Sequence, residues 1–459
     1  MEHRTRDQEQ FTRMTTVPIP KLIGAMAIPT IISMMVTSIY NMADTFFVSK
    51  LGTSATGAVG IVFSLMAIIQ AVGFMLGMGA GANVSRLLGQ QKEDEAGVFA
   101  STAFFTALAF GLALTVVGLA GIDPLMELLG ATETILPYAR AYASYILFGA
   151  PVMCASFVLN NTLRSQGKAV FSMVGIGLGG VLNIVLDPIF IFVFELGIAG
   201  AAIATLISQC ISFAVLLSFY LLGRTSIRLS PRKISRQGYV YSSIFKTGLP
   251  SLCRQGLASI STVSLNRAAA LYGDPAVAAM SVVGRIFMFI LSVMLGFGQG
   301  FQPVAGYNYG AQRYDRVKEA FRFTLGVGVV LLGTIGLVGF FFAPQAMALF
   351  RKDDLEVIAI GSLAMRAQCL SMPLMALITS CNMLFQTTGK SGQATFLACS
   401  RQGIFFLPLI YLLPQLIGLL GVQLTQTLAD ICTALCCVPM LIYYFKELNG
   451  KIAQQAAEQ

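Results

Sequence analysis

The chain repeats itself in register. When Pro29 is set against Pro250, a constant offset of 221 also brings Gly52 onto Gly273, Ala55 onto Ala276 and Gly77 onto Gly298. The same offset pairs Gly79 with Gly300, Gly89 with Gly310, Gln91 with Gln312 and Asp94 with Asp315. An offset of 222 then pairs Pro151 with Pro373, Asn160 with Asn382 and Gly167-Lys168 with Gly389-Lys390. A chain copied at this spacing folds as two like units, and the copied stretches are long and apolar. Two copies of a multi-helix membrane unit, with a site between them or inside one, is the build of a secondary transporter.

Composition agrees. Of 459 residues, 56% are hydrophobic and only 11% charged, with a mean hydropathy of +0.76. That is too apolar for a water-soluble domain of this size. Apolar stretches of the roughly 20 residues needed to span a bilayer recur throughout. They fall at about 20–46, 54–82, 97–121, 135–159, 169–194, 197–222, 241–271, 275–304, 318–343, 356–385, 391–415 and 420–445. Six per copy is an even number, so both copies enter the membrane the same way round and relate by an axis along its normal. The expected fold is an all-α polytopic membrane protein, with twelve transmembrane helices in two pseudo-symmetric six-helix bundles. Residues 1–230 form the first lobe with its polar tail, and 231–459 the second. The basic connection 223–240 joins them.

Basic residues set the expected orientation. With the N-terminus inside, 21 Lys and Arg fall on the inner side, against Lys50, Arg140, Arg351 and Lys352 outside. Such a bias places both termini in the cytoplasm and the chain in the cell membrane. The net charge of +9 then reflects basic loops facing an anionic leaflet, so nucleic acid is not an expected partner. The first eighteen residues are polar and lack the apolar core of a secretory signal, which reads as a retained tail. Most of the nine cysteines lie within spans, where a thiol packs rather than pairs. The one histidine, His3, is in the tail; there is no zinc-type spacing, no HExxH and no nucleophile–base pair. An enzyme is not expected, nor any cofactor beyond a coupling ion.

Ionisable groups inside a bilayer are costly and mark function. In the first copy only Asp44 and Asp187 lie within spans. Asp44 is 23 residues beyond Lys21 and Asp187 is 19 beyond Lys168, rises of about 35 and 28 Å. Thr205 lies about 9 Å into a helix entering from the other side, so all three reach similar depth. Asn183 shares a helical face with Asp187, and Thr37, Tyr40 and Asn41 share one with Asp44. Pro188 removes a backbone bond to the carbonyl of Ile184 and kinks its helix. Two carboxylates, an amide, a hydroxyl and a freed carbonyl suit sodium or a shared proton. The same groups would also serve simply to tie helices together. The second copy has Leu265 in place of Asp44 and Leu409 in place of Asp187. Its embedded acid is Asp430, and it carries Arg254, Arg267, Arg285, Arg366 and Arg401. Gly73, Gly77 and Gly81, and Gly296 with Gly300, are spaced for close helix approach.

Several segments together resemble the multidrug and toxic compound extrusion (MATE) family, most closely its MepA-like bacterial branch. They are Pro29, Asn41-Met42-Ala43-Asp44-Thr45 with Gly52, Arg86-Leu87-Leu88-Gly89, and Asn160 with Arg164 through Gly167. Most specific are Asn183-Ile184-Val185-Leu186-Asp187-Pro188 and the run from Gly197 to Thr205. The resemblance implies a V-shaped pair of bundles alternating between inward- and outward-facing states. It implies export of organic, often cationic and aromatic drugs in exchange for sodium or protons. A family cation site maps onto Asp44, Asn183, Asp187 and Thr205, with Thr37, Tyr40, Asn41, Arg254 and Gln255 as candidate cavity residues and Pro29 and Pro188 as hinges. The expected partners are small drug molecules and the bilayer, and the expected state is a monomer. Acids that some members carry on the seventh and tenth helices are missing here. A flippase for lipid-linked sugars is the alternative, with the second-lobe arginines suited to a pyrophosphate.

Overall fold

A computed structural model describes residues 2–350 and 354–458, with side chains from Gln8 onward. Arg351 and Lys352 lie outside the described residues, as does the side chain of His3. The first half comprises α1 (Glu2–Thr16), α2 (Ile19–Ser49), α3 (Thr53–Gly89), α4 (Glu93–Ala120), α5 (Ile122–Leu128), α6 (Leu136–Ser165), α7 (Ala169–Pro188) and α8 (Gly197–Leu221). The second comprises α9 (Gly238–Ala270), α10 (Asp274–Gly310), α11 (Tyr314–Phe341), α12 (Ala343–Phe350), α13 (Leu355–Thr387), α14 (Ser391–Cys399), α15 (Phe406–Ile417) and α16 (Leu419–Glu458). Each half thus has six membrane-length segments, with α14 and α15 counted as one interrupted helix. Among the described residues, eleven segments are long and apolar enough to cross a membrane. The twelfth, α9, is 33 residues long but holds Lys246, Arg254, Gln255, Asn266 and Arg267, and it gains its place by packing against α3 and α14. Large apolar side chains such as Val117, Leu221, Met288 and Val330 stand exposed on the outside, the surface a bilayer covers.

The repeat reaches the backbone. Gly52 and Gly273 both turn the chain with positive φ, as do Gly167 and Gly389, and Gly197 and Gly418. Gln91 and Gln312 both sit at φ 59°, where a side chain is rarely tolerated. Helices α3 and α10 are each 37 residues, and α4 and α11 each 28. The Asn160 amide donates to the carbonyl of Ser172, and Asn382 in the other half donates to that of Ala394. A Cβ at Gly167 or Gly389 would take on a left-handed backbone and meet Gln10 or Arg86 respectively. Gly167→Ala and Gly389→Ala should each cost about 1–2 kcal/mol. A lowered unfolding midpoint, read in detergent by thiol-reactive dye on the buried cysteines, checks this.

Glycines also explain how the halves meet. Gly73, Gly77 and Gly81 of α3 seat against Phe157, Asn161 and Ser165 of α6, which closes the first half. Between halves, Gly79 meets Ile244, Gly248 meets Met75, Gly296 meets Ile31, Gly300 meets Ala27 and Gly310 meets Arg86. Helices α2 and α9 leave the end where the chain begins, and α3 and α10 return to it, so these contacts gather toward that one end. Arg164 bonds Gln299 across the same junction, and Ser243 bonds Asn83 at 2.9 Å. The level farthest from that end at which a hydrogen bond crosses, among the described residues, is Ser38 to Ser292 at 3.0 Å.

The segment read as a polar tail and the one read as a connection are both built into this closed end. The polar start of the chain is helical, and its Met14 is fully buried. Asn308 donates to the Met14 carbonyl at 3.0 Å and Arg316 to that of Val17 at 2.6 Å. Residues 223–240 also lie against the first half. The backbone amides of Ile227, Ser230 and Ser235 donate to Gln166, Ser101 and Thr102, and Lys233 pairs with Asp94 at 3.0 Å. Backbone groups that no helix satisfies have found side-chain partners there.

Candidate functional site

The first half holds its two embedded acids in an enclosed polar pocket. Gly180 of α7 leaves room for Val36 and Tyr40 of α2, which lets the two helices approach. Both run away from the closed end. Asp187, seven residues on from Gly180, and Asp44, four on from Tyr40, therefore reach one level. Asp44 is 5% exposed and Asp187 0%. Asn183 donates to Asp187 Oδ1 at 3.2 Å and stands 3.2 Å from Thr205 Oγ1 of α8. Asn183 and Thr205 are each buried as well.

The fifth member is Tyr142 of α6, whose hydroxyl donates to Asp44 Oδ2 at 3.2 Å. Sequence reasoning passed over it, because a tyrosine in a span commonly packs as a large apolar group. Its place on the buried stripe with Ile146, Ala150 and Met153 was the available signal. Phenylalanine at position 142 would strip the ionised carboxylate of a donor worth about 1.5–3 kcal/mol. Asp44 should then hold a cation or proton more tightly. Tyr142→Phe should then half-saturate at a cation or proton concentration about tenfold lower, read by calorimetry on the purified protein. An unchanged concentration dependence would show that Tyr142 is not engaged.

Three oxygens of the pocket, Asp44 Oδ1, Asn183 Oδ1 and Asp187 Oδ2, are enclosed and without a hydrogen-bond partner. Enclosed acceptors of this kind are expensive unless a cation or proton meets them. Among the described residues, no cluster of three His, Cys, Asp or Glu side chains exists to hold a multivalent metal. Two carboxylates, an amide and a hydroxyl form an oxygen donor set of the kind that suits a hard cation or a shared proton. Past Pro188 the chain runs through one wide π-helical turn, Ile189–Val193, and Gly200 packs on the carbonyl of Phe190. The helix is loosened directly beyond Asp187, as proline geometry leads one to expect. Pro29 lies inside α2, buried.

The candidate cavity residues lie on two helices, one in each half. Tyr40 is buried against α7, and Thr37 and Asn41 are half-buried on α2. Arg254 and Gln255 are half-buried on α9, and Arg254 turns into the second half, donating to Asn382 at 3.3 Å. Of the other arginines, Arg401 pairs with Asp430 at 2.7 Å and Arg366 donates to the carbonyl of Phe340 at 3.1 Å.

Comparison with known proteins places this arrangement. The family model MatE matches residues 29–189 and 250–412, once in each half. The multidrug export protein MepA of Staphylococcus saprophyticus is 26% identical over 433 residues, 94% of each chain. That of Staphylococcus aureus strain MSSA476 is 26% identical, covering 95% of this chain and 96% of its own. An outward-facing structure of a multidrug resistance MATE transporter of the MOP superfamily aligns with a TM-score of 0.90 at 27% identity, over 96% of this chain and 98% of the other. A MOP superfamily transporter from Pyrococcus furiosus, described as having a binding pocket of reverse polarity, aligns with a TM-score of 0.89 at 27% identity, over 95% and 98%.

Proposed function

This chain belongs to the MATE family of membrane transporters, and from that premise we propose that it is a cation-coupled multidrug antiporter. It exchanges sodium or protons for organic, mainly cationic and aromatic compounds. The observation that carries the coupling is the enclosed pair of carboxylates, Asp44 and Asp187, with partnerless oxygens. The positive-inside balance supports both termini in the cytoplasm of a cell membrane. On that orientation the closed end is the inner one and the molecule faces outward. Cation entering from outside occupies the pocket and bends α2 near Pro29 or over Asn41–Asp44. Drug is released, and the halves rock to discharge the cation inside. The ion drives this only through its different affinities for the two states. Each chain carries its own pocket and its own junction between halves, so the working unit is a monomer. Its reaction is transport with no covalent step, needing no cofactor beyond the coupling ion. Relatives named as multidrug exporters do not favour a lipid-linked-sugar flippase.

Ethidium efflux from proteoliposomes tests this reading. Inward sodium and inward proton gradients are imposed separately, with Asp187→Asn as the control. One gradient should drive efflux in the wild type and neither in the mutant. No efflux under either gradient would reject it.

A further inference from the structure

A polar cavity of about 440 Å³ opens on the seam between the halves at the closed end. Arg86 of α3 and Phe99 of α4 line it from the first half, and Tyr239 of α9, Tyr309 of α10 and Tyr314 of α11 from the second. Gly310 packs on the carbonyl of Arg86, so the two walls touch beside the opening. Arg86 stands three residues before the last residue of α3, about 5 Å from that end of the helix. The cation pocket lies toward the other end of the molecule and uses none of these residues.

The Arg86 guanidinium is positioned by both halves. Its Nε donates to the Ala82 carbonyl at 3.3 Å, and one terminal nitrogen donates to Asn83 Oδ1 at 2.7 Å. The same Asn83 oxygen accepts from Ser243 of the second half at 2.9 Å. The other terminal nitrogen lies against Gly389, at a turn of the second half. Among the described residues no carboxylate comes within ion-pair distance of it, and its remaining N–H donors find no bond. The carboxylate that lines the cavity, Glu95, is taken by Lys92 at 3.3 Å. On the opposite wall Lys451 donates to the Tyr309 hydroxyl at 3.2 Å, and Glu447 is shared between Lys451 at 3.1 Å and Lys390 at 2.7 Å. Arg86, Lys92, Lys390 and Lys451 against Glu95 and Glu447 leave two positive charges in excess around the opening.

We propose that this seam cavity binds an anionic phosphate group on the Arg86 fork, and that the bound group holds the closed end shut. A planar guanidinium matches phosphate oxygens two bonds at a time, and the tyrosine hydroxyls on the facing wall add donors. Basic pockets between membrane helices on the cytoplasmic side take the headgroups of anionic lipids. The phosphate is carried by an inner-leaflet lipid or by a small cytosolic ester, and the chemistry of recognition is the same. Parting the halves would take Ser243 and Gly389 away from Arg86 and dismantle the site, so the ligand favours the closed state by its difference in affinity. The inference rests on the orientation given above only for the side from which the phosphate arrives.

Glycerol 3-phosphate is the soluble probe, with glycerol as the uncharged control. Binding to the purified, delipidated protein in neutral detergent is read by calorimetry, and amide hydrogen exchange is followed over 83–90 and 307–314, the two walls. The phosphate should bind saturably, glycerol should not, and exchange should slow on both walls together. Arg86→Gln should weaken binding by about tenfold, and Arg86→Lys should restore part of it. The glycerol control and the exchange measurement need no variant, so poor folding of Arg86→Gln leaves the test intact. Nanodiscs of phosphatidylglycerol and of phosphatidylcholine separate the sources. If the phosphatidylglycerol discs alone protect both walls and abolish glycerol 3-phosphate binding, the lipid is the ligand. If binding is equal in the two, it is the soluble ester, and either result upholds the phosphate site. No binding in detergent together with no added protection in phosphatidylglycerol overturns the proposal. Full binding by Arg86→Gln, or protection of one wall only, overturns it as well. Binding is read without transport, so a failure of ethidium efflux would remove the export reading and leave this result standing.

Discussion

Asp187→Asn is expected to bring cation-driven efflux down to the level of empty liposomes without reducing the amount or stability of the protein. The carboxylate is 0% exposed and receives one hydrogen bond, from Asn183 at 3.2 Å. Asparagine has the same shape and keeps an oxygen for that bond, but it carries neither the charge that attracts sodium nor a site for an exchangeable proton. Burying a charge is costly, and a well-fitting neutral replacement is often neutral or stabilising. Coupling and stability should therefore separate. Asp44→Asn is expected to behave alike, its other oxygen still meeting Tyr142. Efflux in proteoliposomes and the unfolding midpoint in detergent check both outcomes. If the acids acted only as ties between helices, the mutants would lose stability and keep the dependence of efflux on the cation gradient.

A side chain at Gly248 is expected to stop transport by a different route. Gly248 of α9 packs on the carbonyl of Met75, and reciprocally Gly79 of α3 packs on Ile244 and the Gly248 amide. Leucine there cannot be absorbed by rotating a flexible neighbour, because the obstacle is backbone. Overpacking of this kind costs about 1–3 kcal/mol. A penalty of that size confined to one state shifts its population by about 5- to 150-fold. Gly248→Leu should hold the closed end apart and cut efflux accordingly. Ser243→Cys, placed at the Asn83 contact, should label faster with a membrane-impermeant maleimide in the Gly248→Leu background. Full efflux with leucine at this position would mean that the junction is not part of the cycle.

The residues of the candidate pocket are largely legible in the sequence. Asp44 and Asp187 stand out because few acids enter apolar spans, and the rise of a helix per residue is enough to compare their depths. Asn183 and Thr205 follow from helical spacing and from family resemblance. Tyr142 was not legible, since nothing local says whether a tyrosine in a span turns its hydroxyl to lipid, to a carbonyl or to a carboxylate. Which neighbours Arg254 and Arg401 meet was not legible for a similar reason. Spacing along one helix tells which residues share a face, but not which neighbour that face meets. The polar start of the chain likewise reads only as a retained tail. Only the burial of Met14 and the bonds from Asn308 and Arg316 make it part of the closed end.

The sequence by itself determined the number of membrane-length helices, the repeat that relates the two halves and the helical levels at which Asp44 and Asp187 stand. Bilayer thickness, the cost of a buried charge and an in-register repeat act residue by residue along the chain. The tertiary structure alone decided that the halves meet at the end where the chain begins, that Tyr142 completes the pocket, and that Arg401 takes Asp430 while Arg254, among the described residues, bonds the Asn382 amide instead of an acid. Those outcomes depend on which helix faces turn toward each other, and that is settled by packing between segments far apart in the chain.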